Sequence, residues 1–92
     1  MDIKSESNRV YIEDDNGNIT AELTFPITPD GNVDINRTFV DTSLRGMGIA
    51  GKLMTAAAER IRASGQKTRA SCSYAQKWFE KNPDYSDIYI AD

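Results

Sequence analysis

The hydrophobic period of this chain changes once, at Asp41, and the change is made across three closely spaced glycines, Gly46, Gly48 and Gly51. Ahead of it, apolar residues recur at every second position. Behind it, they recur every third or fourth. A period of two places side chains on alternate faces of a strand, and a period near 3.6 places them on one stripe of a helix. The chain must therefore build strands first and helices second, which excludes all-helical and all-sheet folds. With 92 residues and 10.2 kDa, surface scaling gives about 5,300 Å² accessible when folded against about 14,800 Å² unfolded. That is one small core, so a single domain over residues 1–92 is expected. A two-lobed enzyme, a TIM barrel and a full doubly wound dinucleotide domain are too large for it.

Within the first part, Ser7 to Glu13 reads as a strand around Val10, Tyr11 and Ile12. Asp14 to Asn18 contains Asn16-Gly17, the strongest short hairpin signal. Ile19, Ala21, Leu23 and Phe25 then alternate with Thr20, Glu22 and Thr24, as in a half-buried strand. Pro26 to Asn32 is a loop, and Val33 to Val40 reads as a third strand of an antiparallel meander. In the second part, Ile49, Leu53, Ala56, Ala57, Arg60, Ile61 and Ser64 keep helical spacing, and Gly65 stands where a helix-terminating glycine belongs. These predict a helix over about Gly48 to Ser64. Lys67 to Ser71 follows as a fourth strand, parallel to the one before the helix. Tyr74 to Lys81 predicts a short second helix, stopped by Asn82-Pro83, with Trp78 and Phe79 as core anchors. Ile88 to Ile90 either adds a last strand or frays. The expected fold is an α/β (α+β) sandwich: a mostly antiparallel twisted sheet, one long helix and one short one.

Residue types exclude several chemistries. There is no histidine, and Cys72 is the only cysteine. His-based metal sites, Ser-His-Asp triads, Cys-His dyads and intrachain disulfides are ruled out, and no metal is expected. No apolar run approaches ~18 residues, and the opening MDIKSESNRV lacks the apolar segment of a signal peptide, so a reduced cytoplasmic protein off the membrane is expected. The net charge of −3 argues against a nucleic-acid partner. The charge is uneven, however. Residues 1–41 carry three basic and nine acidic side chains, and residues 42–92 carry eight basic and five acidic.

The basic half contains Arg45-Gly46-Met47-Gly48-Ile49-Ala50-Gly51-Lys52, which fits three phosphate-binding patterns. Gly46-x-Gly48-x-x-Gly51 matches the dinucleotide fingerprint, Gly46-x₄-Gly51-Lys52 nearly matches the Walker A loop, and Arg45-x-x-Gly48-x-Ala50 matches the acyl-CoA loop. All three use small residues to bring backbone N–H groups onto an anion at a helix N-terminus, where donors are unpaired and the dipole is positive. Context separates them. Leu53 stands where Walker A needs a Mg²⁺-binding hydroxyl. No acid lies between Glu59 and Glu80 to take a ribose hydroxyl. Only the acyl-CoA pattern wants what surrounds this loop, a strand ending at Val40 just before it and a long helix just after.

On these residues the chain resembles the GCN5-related N-acetyltransferases, in particular a short single-domain subgroup. The stretch Val40 to Leu53 is similar to the family's motif A, and Cys72-Ser73-Tyr74-Ala75-x-x-Trp78-Phe79-x-x-Asn82-Pro83 is similar to the subgroup's segment after the next strand. Longer members carry one or two helices between the first two strands, where this chain has only the Asp14–Asn18 turn. The resemblance implies acetyl-CoA (coenzyme A) as the cofactor and acetyl transfer to an unknown amine acceptor, by a monomer or by a homodimer whose partner copy completes the acceptor cleft. The alternative is an acetyl-CoA-binding protein without transfer, or an acyl carrier through Cys72. It implies phosphate contacts from Met47, Gly48, Ile49, Ala50, Gly51 and Lys52, beside Gly46. Arg45 either contacts phosphate or braces the loop. Phe39 and Val40 fall on the strand resembling the family's pantetheine-binding strand, which splays from the strand 67–71; their side chains either contact the cofactor or are plain core. Cys72 falls where the thioester belongs, as an acyl acceptor or as a small core residue. Tyr74 aligns with a family general acid, or caps the core. Among the carboxylates Glu22, Asp34 and Asp41, sequence does not select a general base.

Overall fold

A computed structural model describes residues 2–91. Eight elements follow in the order β1 (Lys4–Glu6), β2 (Arg9–Glu13), β3 (Ile19–Thr24), β4 (Val33–Ile35), β5 (Arg37–Val40), α1 (Ile49–Ser64), β6 (Thr68–Ala70) and α2 (Ser73–Lys81), with short 3₁₀ turns at Thr42–Leu44 and Pro83–Tyr85. Strands β1-β2-β3-β5 form an antiparallel sheet, and β4 pairs with β6 in parallel. This is the α+β arrangement expected from the change of period, with both helices after the meander.

The β2–β3 hairpin turns through Asp14–Asn18. The Asp14 carboxylate accepts the amides of Asn16 and Asn18, each at 2.9 Å, and Gly17 takes the positive φ of 80° that the turn requires. Helix α1 ends at Gly65, whose N–H donates to the Arg62 carbonyl at 3.1 Å. Its buried stripe of Ile49, Leu53, Met54, Ala57, Ala58 and Ile61 packs on β2, β3 and β5. Val10, Ile12, Ala21 and Leu23 supply the facing core. Helix α2 buries Ala75, Trp78 and Phe79 as expected. Trp78 and Phe79 meet edge to face at 5.2 Å, and Phe79 stacks on Tyr89 at 4.3 Å.

The structure departs from the sequence reading in three places. The strand expected over Val33–Val40 is two strands. Asn36 donates its amide to the Thr24 carbonyl at 3.2 Å, while Arg37 is the register partner of the same Thr24. Two residues thus oppose one, which is a β-bulge, and the pairing changes hands there. Ahead of the bulge the chain pairs with β6, and behind it with β3. An additional strand, β1, adds to the sheet through Lys4↔Tyr11 and Glu6↔Arg9, although all three of its residues are exposed. The tail neither frays nor forms a strand. Thr68 donates to the Ile88 carbonyl at 2.7 Å and accepts the Ile90 amide at 2.9 Å, a single parallel bridge beside β6. Ile88 is buried, and Arg62 holds the tail by donating to Asp87 at 2.7 and 3.0 Å and to the Asp84 carbonyl at 2.8 Å.

Candidate active site

Helix α1 begins without a side-chain cap. Its N-cap is Gly48, left-handed at φ 71°, two residues after Gly46 at φ 82°. A β-carbon at either glycine would meet no heavy atom within 4 Å, so the surface there is open, but the conformation itself disfavours any other residue. Lys52 donates the helix bond to the Gly48 carbonyl at 3.2 Å. The amides of Ile49, Ala50 and Gly51 precede it and have no intrahelical acceptor. The first turn holds no acidic residue. The electrostatics therefore favour an anion in front of it.

The approach to this turn is fixed by Asp41. Its carboxylate accepts both the amide (3.0 Å) and the hydroxyl of Ser43, capping the 3₁₀ turn Thr42–Leu44. The Ser43 hydroxyl, then the Ser43 amide, holds the Asp41 carboxyl below its usual range. Arg45 points its Nε at the Val40 carbonyl, 3.4 Å away. Of the two roles the sequence left open for it, bracing the loop has a contact here.

Strand β5 is an edge. It pairs with β3 on one side only, with Ala21↔Val40 and Leu23↔Thr38 in register. Asp41 donates to the Thr20 carbonyl at 2.8 Å, which fixes which residues turn their polar groups toward β3. In an antiparallel ladder the intervening residues, Thr38 and Val40, then turn theirs outward. The parallel ladder on that outer side ends early. Its last bond runs from the Cys72 amide to the Ile35 carbonyl at 3.1 Å, and beyond it the chain after β6 turns into α2. The result is a fork between β5 and the start of α2. Half-buried Cys72 sits at its apex with Sγ 3.7 Å from Thr38 Oγ1.

Fork and helix start share one groove of about 230 Å³. Val40 and Leu44 wall it on the strand side, Arg45, Gly46, Gly48, Ile49, Ala50 and Gly51 on the loop side, and Tyr74 from α2. The Tyr74 hydroxyl comes to 3.8 Å from where a β-carbon on Gly51 would lie. Of the residues singled out from sequence, Phe39 is not brought into the groove. It pairs with Glu22 across the sheet and takes the Arg37 guanidinium over its ring at 5.5 Å. Met47 and Lys52 are exposed and lie outside the groove lining, and half-buried Cys72 at the apex is outside it too. Sequence reasoning passed over Leu44 and Thr38. Alternation was the signal for Thr38, which shares its face with Val40 whereas Phe39 does not.

The three carboxylates weighed as bases are all engaged. Glu22 accepts Arg37 at 2.6 Å and lies 3.3 Å from Arg9. Asp34 accepts the Ser71 amide at 2.9 Å and the Ser71 hydroxyl at 2.7 Å. Asp41 is held by Ser43 as described. Asp34 and Ser71 also line a second cavity, of about 430 Å³, beside β6.

Among the described residues, no helix is long and apolar enough to cross a membrane. A family profile described as GCN5-related N-acetyl-transferase matches residues 9–88. No curated protein gave a significant match. Among solved structures, a GCN5-like protein from Staphylococcus aureus is 36% identical over 99% of this chain and 89% of its own, with a TM-score of 0.80. A ribosomal-protein-alanine N-acetyltransferase from Brucella melitensis is 19% identical over 96% of this chain and 68% of its own, TM-score 0.57. Naa20 of Chaetomium thermophilum, solved with a bisubstrate analogue, is 20% identical over 87% of this chain and 50% of its own, TM-score 0.58. These two share the fold, and the chain spans about half to two-thirds of their length. A profile match over most of the chain and a relative of its own size at 36% identity agree with the forked strands and the glycine loop: the chain belongs to the GCN5-related N-acetyltransferase family.

Proposed function

We propose that the chain is an acetyl-CoA-dependent N-acetyltransferase, its residues 1–92 working as one cytoplasmic domain that moves an acetyl group to an amine. The observation that carries this reading is the continuity of one groove from the uncapped α1 terminus to the unpaired edge of β5. The residues present fit coenzyme A. A diphosphate suits the Ile49–Gly51 amides, with Gly46 and Gly48 leaving the approach clear and Arg45 and Lys52 adding positive charge. An arm that contains amide bonds suits Thr38 and Val40, whose outward N–H and C=O groups can pair with it as a strand would. When bound, acetyl-CoA supplies a thioester whose acyl carbon an amine can attack. The chain's own task is to position that carbon and to exchange protons around it. Among the described residues, Tyr74 bears the only hydroxyl in the groove lining and is suited to protonating a departing thiolate.

A second reading rests on Cys72. Its thiol lies at the fork apex beside Thr38, where it could accept the acyl group as a thioester and release the CoA thiol. Incubation with acetyl-CoA followed by intact mass separates the two. Direct transfer predicts unmodified protein and an acetylated amine. A carrier predicts one added acetyl group that disappears in Cys72→Ser. Calorimetric titration tests the common premise: Lys52→Glu should weaken CoA binding, and absence of binding by the unaltered protein would remove both readings.

A further inference from the structure

The second cavity, at about 430 Å³, is nearly twice the volume of the groove. Two of its wall residues are carboxylates, Asp34 on β4 and Glu80 on α2. Among the described residues, no lysine or arginine forms an ion pair with either. The one basic residue in the wall, Arg69, is engaged at 2.8 Å by Asp30, which is itself outside the wall. The wall therefore carries two carboxylates against one guanidinium, which Asp30 already engages from outside it. It is also built. Ser71 fixes Asp34 by donating to both of its carboxylate oxygens, and Gln76 is fixed by its bond to the Ala70 carbonyl at 2.8 Å. Tyr89 and Ile90, brought in by the tail bridge at Thr68, form an apolar flank. A charged end and an apolar flank are what an ammonium group on an alkyl stem requires.

The cavity also has a telling position. Ser71 immediately precedes Cys72, whose amide makes the last rung to Ile35, and Asp34 immediately precedes Ile35. Cavity and fork therefore flank the same two backbone positions. We infer that this cavity binds an aliphatic primary amine, with its ammonium between Asp34 and Glu80 and its stem along Tyr89 and Ile90. Its role as the acceptor site rests on the transferase reading above. The amine-binding property does not.

The test is a titration of the ¹⁵N-labelled full chain, observed by NMR, with cadaverine and separately with glutarate, a dianion of equal chain length. Cadaverine should shift the amides of Asp34, Ser71, Gln76 and Glu80 saturably, and glutarate should not. Glu80→Gln, at an exposed position, and Asp34→Asn should each weaken cadaverine about threefold to tenfold, with the rest of the spectrum unchanged. No saturable shift with cadaverine, an equal response to glutarate, or undiminished binding by both variants overturns the proposal. Coenzyme A is titrated in parallel. Shifts over residues 45–52 without cadaverine binding refute the amine site alone. Cadaverine binding without those shifts refutes the transferase reading and leaves the amine site standing.

Discussion

Gly51→Ala separates two reasons for having glycine at the start of α1. Gly48 is left-handed, so a side chain there strains the backbone by roughly 1–2 kcal/mol. Gly51 has ordinary helical geometry at the third position of the helix, and an added β-carbon would lie 3.8 Å from the Tyr74 hydroxyl, a normal contact. Nothing in the folded protein needs glycine at 51. Alanine there should raise helix propensity and restrict the unfolded chain, a gain of about 0.5–1 kcal/mol. For a domain of this size that is a rise in Tm of about 2–8 °C. The methyl group would nevertheless occupy the wall of the groove, where a diphosphate must reach the backbone amides. Coenzyme A affinity should fall about tenfold, equal to ~1.4 kcal/mol. Thermal unfolding without ligand and calorimetry with it read the two effects separately. A variant that melts lower, or binds coenzyme A as tightly as before, would show that the glycine is not kept for ligand approach.

Other outcomes follow from the packing and the charges. Trp78→Ala removes an edge-to-face partner of Phe79 and a neighbour of Tyr85 at 5.1 Å. It should cost about 3–5 kcal/mol in urea unfolding, a large part of a small domain's stability. Arg62→Met breaks the bonds to Asp87 and to the Asp84 carbonyl, so exchange of the Ile90 amide should speed up while the α1 amides stay protected. The carboxyls of Asp14, Asp30, Asp41 and Asp87 are all held below their usual range in the folded state, Asp30 chiefly by the Thr28 hydroxyl and then by Arg69. The folded state then binds fewer protons than the unfolded chain. Their contribution is complete above the unfolded value near ~4 and is lost as pH falls below it. With no histidine to titrate, the urea midpoint should stay flat from about pH 8 to 5 and drop below about 4. A slope between pH 5 and 7 would contradict that reading.

What sequence revealed, it revealed where local chemistry decides. The Asp14–Asn18 turn, the α1 stripe and its Gly65 stop each follow from residues close together in the chain. The split of the third strand does not. It depends on Thr24, twelve positions before Asn36, accepting a bond that regular pairing would give to Arg37 alone. Strand β1 has no apolar alternation and exists because β2 offers it a free edge. The single bridge of the tail depends on Arg62 and on Phe79 beneath Tyr89. The site divides the same way. Its loop is contiguous and was legible, whereas Thr38 needed the strand's alternation to be followed. The amine cavity draws on five separate stretches and left no mark in any one of them.

The bulge at Asn36 also limits which lengths of chain this scaffold can accept. Inward positions run Val33, Ile35, then Thr38 and Val40, with three steps across the bulge in place of two. Removing one residue there would keep Thr38 and Val40 inward by strict alternation but erase the bulge, and with it the point at which the strand parts from β6 and turns to β3. Insertions are tolerable in the hairpin turn or after Ile90, but deletion of a single codon between Ile35 and Arg37 should close the fork and weaken ligand binding while leaving most of the core able to fold.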